Sequence, residues 1–225
     1  MSGNWTHTAG GTFTHSSGTV TITGTDKTID VNSTEAFSNL IFNVDSTSTR
    51  TVANSDTLNV ANTLTVTEGS LNQTTVPAAG TVVVQVSISH ASTFNGGTAH
   101  VYLEGSGTVS FSSGAMTGFK LNSASAVATG PTSGTLTFEQ AVTIAAGTFN
   151  AGDGAITVDS GLLFTVSGGT FNGGAGTVTM NGGVTISGGA FNGGTLTVFF
   201  CNSCTFTLSG GTLAPGSGTL KVGGN

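Results

Sequence analysis

An all-β parallel solenoid (β-helix) with coils of about 20–22 residues is the fold class this sequence predicts. Three observations carry that expectation. A Gly-Thr/Ala-Phe-Asn tetrapeptide recurs at Gly147-Thr148-Phe149-Asn150, Gly169-Thr170-Phe171-Asn172 and Gly189-Ala190-Phe191-Asn192, with Gly211-Thr212-Leu213 as a weaker fourth copy. Each copy is followed by a turn and then by short runs alternating polar and apolar residues. The composition also suits strands joined by tight turns: 36 glycines and 14 phenylalanines among 225 residues, with only 6% charged against about 25% in an ordinary soluble domain.

The unit in the last third of the chain reads strand, turn, strand, turn, strand, turn. After the Phe-Asn anchor comes a run such as Gly176-Thr177-Val178-Thr179-Met180 or Gly194-Thr195-Leu196-Thr197-Val198. A third run follows, such as Val184-Thr185-Ile186 or Phe206-Thr207-Leu208. Successive strand residues face opposite sides, so in Thr177–Met180 the apolar pair faces inward and both threonines outward. A coil of this size cannot bury its one apolar side alone and must stack on its neighbours at about 4.8 Å. Phe149, Phe171, Phe191 and Leu213 are then expected to form an internal stack. Asn150, Asn172 and Asn192 should form a corner ladder of amide hydrogen bonds, with Gly-Gly pairs supplying positive-φ corners.

Upstream, Gly11-Thr12-Phe13 with Gly18-Thr19-Val20-Thr21-Ile22 reads as one copy and Thr93-Phe94-Asn95 as another; Gly134-Thr135-Leu136-Thr137-Phe138 supplies a middle run. The chain is therefore read as one solenoid over residues 1–225, less regular through 1–92 and more regular through 93–225. A β-sandwich has no reason to repeat one tripeptide at a fixed interval, and a propeller needs blades of about 40 residues. Helical periodicity is absent.

Composition also bounds function. The net charge is −6, and the basic residues are Lys27, Arg50, Lys120 and Lys221. No basic patch is available to neutralise phosphates, so nucleic acid is not an expected partner. No apolar window is long enough for a helical membrane span, and Met1–Asn4 lacks the charged and apolar regions of a secretory signal. A processed form, or export without a cleaved signal, is expected on that ground.

The phrases Asn4-Trp5-Thr6 to Gly11-Thr12-Phe13, Phe37-Ser38-Asn39-Leu40, and Thr57-Leu58 to Gly69-Ser70-Leu71-Asn72 resemble the degenerate repeats of large bacterial surface proteins. Those are the right-handed parallel β-helices of the filamentous-haemagglutinin and autotransporter-passenger type. The resemblance covers most of the chain and implies an extracellular or cell-surface role in adhesion or filament building. It brings no catalytic residues with it. The expected partners are other copies of the chain, end to end, and cell-surface glycans or a host surface.

Enzyme signatures are missing from the sequence. It has no Gly-x-Ser-x-Gly elbow, phosphate-binding loop or His-Glu-x-x-His motif. His7, His15, His90 and His100 lie far apart and read as solvated surface imidazoles; neither metal nor other cofactor is expected. Parallel β-helices include carbohydrate-active enzymes, so Asp153 with Asp159, and Asp26, Asp30 and Glu35, are the carboxylates to weigh. The first pair brackets a strand at its turns, about 20 Å apart if extended, and reads as turn chemistry. Cys201-Asn202-Ser203-Cys204 falls where the preceding coil has Asn181-Gly182-Gly183, and is read as a local disulfide closing an enlarged corner, which suggests an oxidising compartment.

Outward threonines remain. Thr135/Thr137, Thr177/Thr179 and Thr195/Thr197, with Thr19/Thr21 and Thr63/Thr65 upstream, are expected to form one two-column array, and Phe199 an exposed contact residue. Such an array allows ice binding as an alternative to its plain reading as good outward β residues. Neither end of the repeat carries an obvious cap, so the reading is a segment of a longer solenoid or a subunit that stacks end to end.

Overall fold

The computed structural model describes residues 2–74, 80–195, 197–200 and 204–222. Among them every regular element is a β-strand, every strand pair is parallel, and no helix long and apolar enough to cross a membrane occurs. The chain winds as a β-solenoid around three faces. One is a ten-stranded sheet running from Thr19–Ile22 to Thr212–Ala214, and another a nine-stranded sheet from Thr34–Phe37 to Phe206–Leu208. The third is split. A four-stranded sheet, Trp5–His7 to Ser70–Gln73, serves the early coils, and a six-stranded one, Gly114–Met116 to Leu220–Val222, the later ones. Single bridges, Gly69 to Phe94 and Asn95 to Ala115, link the two across a seam.

Alternation explains the burial. Strands such as Thr63–Val66 and Thr57–Val60 have their Thr or Asn residues partly exposed and their Leu and Val buried, because β-branched and apolar side chains fill the pleated inner surface. Stacking turns each inward position into a column. On the ten-stranded face it runs Val20, Leu40, Leu64, Ile88, Val109, Ala128, Phe149, Phe171, Phe191, Leu213.

Coil length varies more than the repeat indicated. Asn172 and Asn192 follow their ladder partners by 22 and 20 residues, whereas Asn62 reaches Ser38 across 24 and Asn122 reaches Glu104 across 18. Strands keep register while corners absorb the difference. Two kinds of glycine allow this. Gly189 has φ 66°, a left-handed corner disfavoured for other residues. Gly174 has an ordinary φ but lies against the coil below, where a Cβ would overlap the Gly152 carbonyl oxygen. The Gly-Gly pairs thus serve close approach as well as positive φ.

Two inward positions near the start are charged. Glu35 and Arg50 are 5% and 1% exposed, at register positions occupied in the next coils by Leu58 and Leu71. Glu35 accepts a hydrogen bond from His7 Nδ1 at 2.5 Å. Arg50 donates to the carbonyls of Thr49 and Gly24 while its buried Nε–H has no partner among the described residues, and Asp26 and Asp45 lie close enough to favour its charge. Near the start, Phe13 packs edge-on against Trp5 at 4.8 Å and lies 5.6 Å from Phe37, and both Trp5 and Phe13 are partly buried against the core. The motive is ordinary hydrophobic burial.

Candidate contact surfaces

The Phe-Asn anchors lie over one another. Phe149, Phe171 and Phe191 are 0–1% exposed, and their rings stack at centroid distances of 5.8 and 4.7 Å. Leu213 continues the column as a partly buried residue packed on the core. Asn172 Nδ2 donates to Asn150 Oδ1 at 3.0 Å, and Asn192 Nδ2 to Asn172 Oδ1 at 2.9 Å. Asn172 thus donates to the amide below and accepts from the one above, one bond per coil, and the ladder stops where Thr129 and Ala214 take its position in the flanking coils. Replacing Asn172 by alanine removes both bonds and is expected to cost about 1–2 kcal/mol. Chemical denaturation of Asn172→Ala beside wild type checks this, and an unchanged midpoint would show that solvent replaces the ladder.

The threonine array is not one lattice. Thr19, Thr21, Thr63 and Thr65 belong to the ten-stranded face, whereas Thr135, Thr137, Thr177 and Thr179 belong to the six-stranded sheet. Within that sheet Thr135 meets Ala155, Thr137 meets Thr157, and Thr157 meets Thr179. Thr197 pairs with Thr177, and Phe199 takes the place above Thr179. Thr195 is therefore out of line by two residues. Four corner residues follow both Asn172 and Asn192 before the strand begins, which places Thr195 in the turn with its hydroxyl donating to the Gly174 carbonyl at 3.1 Å. The side chains of Thr197 and Phe199 lie outside the described residues. An unbroken threonine column does occur on the nine-stranded face, where Thr143, Thr165, Thr185 and Thr207 stack.

Thr93-Phe94-Asn95 imitates the anchor but sits elsewhere. Phe94 and Asn95 bridge the third face rather than the ten-stranded one. They mark the seam, where side chains span two coils: Asn95 Nδ2 donates to the Ser46 carbonyl, and Gly97 N–H donates to Glu139 Oε2 at 2.8 Å. No sequence signal announces these bonds, because they join residues separated by 49 and 42 positions.

His90 corrects the expectation of surface imidazoles. It is 5% exposed and points inward, edge-on to Phe94 and Phe111. Nε2 lies 2.8 Å from the Ala115 carbonyl, and the Ser112 N–H donates to Nδ1 at 3.2 Å. That pair of partners fixes the neutral tautomer protonated on Nε2. Burial lowers its pKa from 6.5, partly offset by the bond to Ala115. His100 is likewise lowered by burial. His7 is raised, first by its bond to the Gly11 backbone and then by Glu35.

The weighed carboxylates fall on separate turns and strands, Asp30 within Lys27–Val31 opposite Thr6. Asp153 and Asp159 flank the strand Ala155–Val158 at its two ends. Asp26 accepts from the Thr49 N–H, while Glu35 serves His7. No group of three or more His, Cys, Asp or Glu placed to hold a metal occurs among the described residues. Cys204 is disulfide-bonded; Cys201, the chain's other cysteine, lies outside the described residues. Cys204 lines a shallow groove with Asn181, Gly182 and Gly183, so this corner lies beside the Asn181-Gly182-Gly183 turn. No protein-family model, curated protein or solved structure matches the chain.

Proposed function

We propose that this chain is a non-catalytic structural protein of the cell exterior, a β-solenoid subunit or segment of a surface filament or adhesin of the filamentous-haemagglutinin and autotransporter-passenger kind. The observation that supports it most is the registry of Phe149, Phe171 and Phe191 over one another, with the amide ladder beside it. Such a column gives each coil the template for the next. Length can then grow without new chemistry, whether coils come from one chain or from copies stacked end to end. Low surface charge adds support, since 6% charged residues leave little repulsion between neighbouring rods. The partners on this reading are other copies and neutral surface molecules such as glycans.

Negative-stain microscopy of the purified chain over a concentration series tests the proposal. Rods that lengthen with concentration are expected, and monomeric particles at every concentration would count against self-assembly. Polysaccharide turnover that vanishes on Asp153→Asn or Asp159→Asn would replace this reading with a carbohydrate-active enzyme.

A further inference from the structure

The corner between the ten-stranded face and the third face changes length abruptly beside the seam. It spans residues 111–113 in one coil and 130–134 in the next. An open cavity of about 450 Å³ lies between the two corners. The hydroxyl-bearing Ser110, Ser113, Thr129 and Thr132 line it together with the buried Phe111 and Pro131.

The walls are held in place. The Phe111 ring lies 6.0 Å from Phe149 and nearly parallel to it. Val109, not Phe111, is the residue in line with Ala128 and Phe149, and two coil spacings would amount to about 9.6 Å; the Phe111 ring therefore leans over the intervening coil towards Phe149. Ser112 is tied to His90 twice, through its N–H to Nδ1 and through its hydroxyl to the His90 carbonyl at 2.9 Å. A site whose groups are fixed beforehand loses less entropy on binding.

We propose that this recess binds a neutral oligosaccharide of two or three sugar units. No charged side chain lines it, so neither an anion nor a cation finds a counter-charge there. Hydroxyls both donate and accept, which matches the hydroxyls of a sugar in either sense. The volume falls in the range of small-molecule sites, about 300–1,000 Å³. The inference rests on the proposed surface role only in naming a glycan as the physiological source of such a ligand.

The test is an amide-resonance titration of the full isotope-labelled chain under magic-angle spinning, which detects filaments and sedimented monomers alike. The probes are the trimers of β-1,4-linked glucose, β-1,4-linked N-acetylglucosamine and α-1,4-linked glucose. At least one trimer is expected to shift the amides of residues 110–113 and of 129, 130, 132 and 133 saturably. Thr132→Arg and Ser113→Arg, which fill the recess from two sides, are each expected to weaken that binding at least tenfold while the far-ultraviolet circular dichroism stays unchanged. The proposal is overturned if no trimer shifts these amides, or if both arginine variants bind as wild type does. Microscopy of the same samples reads filament growth separately, so failure of the glycan site and failure of the structural role are distinguishable.

Discussion

Phe171→Ala is expected to destabilise the solenoid by about 3–5 kcal/mol, the usual loss when a fully buried phenylalanine is truncated. The ring is completely buried, lies between Phe149 and Phe191, and meets Phe164 edge-on at 5.5 Å. Its removal opens a cavity between two rings held by strands on either side. Those strands are fixed by their own ladders and cannot close the gap. Solenoid stability is roughly a sum of coil terms and nearest-neighbour interfaces, so the loss falls on the two interfaces around residues 170–172. The denaturation curve should broaden as well as shift, because the coils on each side of the defect begin to unfold separately. Phe171→Leu, which fills part of the space, should cost less than half as much, and the outward Thr170→Ala about 0.5 kcal/mol or less. Urea unfolding followed by circular dichroism measures all three. A Phe171→Ala midpoint within error of wild type would mean that the stack contributes nothing to cohesion.

The stack was readable in the sequence because identical residues recur where strand register demands identity. Phe149, Phe171 and Phe191 fill one column, and Asn150, Asn172 and Asn192 the next outward one. Where corners change length, residues with the same local sequence fall at different register positions. Thr195 resembles Thr177 in its local sequence, yet Thr197 is the residue that meets Thr177. Phe94-Asn95 repeats the anchor's letters on another face. The inward charges were hidden for a different reason. Alternation identifies a position as internal, but not the partner that satisfies a polar group there. Glu35 is met by His7 from 28 residues away, and Arg50 donates to Gly24 from 26. Only the winding of the coils brings such pairs together.

Acid should loosen the seam through His90. The folded state holds this imidazole neutral, because its Nδ1 accepts the Ser112 N–H and burial among Phe94, Phe111 and Ala115 disfavours charge. An unfolded chain takes up the proton near the ordinary value of 6.5, while the folded chain resists to lower pH. The unfolded state therefore binds more protons below about 6.5, and stability falls as pH drops through that value; above it the contribution is constant. His7 acts in the opposite sense. Its raised pKa favours the protonated folded form, so its contribution is present below 6.5 and fades as pH rises through the folded value. His90→Leu should separate the two. At pH 7.5 the variant loses about 1–3 kcal/mol, since the Ser112 N–H and Ala115 carbonyl lose their partner, but its stability should depend less on pH between 7 and 5 than that of wild type. The hydrogen-exchange protection factor at Ser112, the rate relative to the intrinsic exchange at each pH, should fall on acidification of wild type and be low at both pH values in His90→Leu. Equal acid slopes for the two proteins would place the acid sensitivity elsewhere.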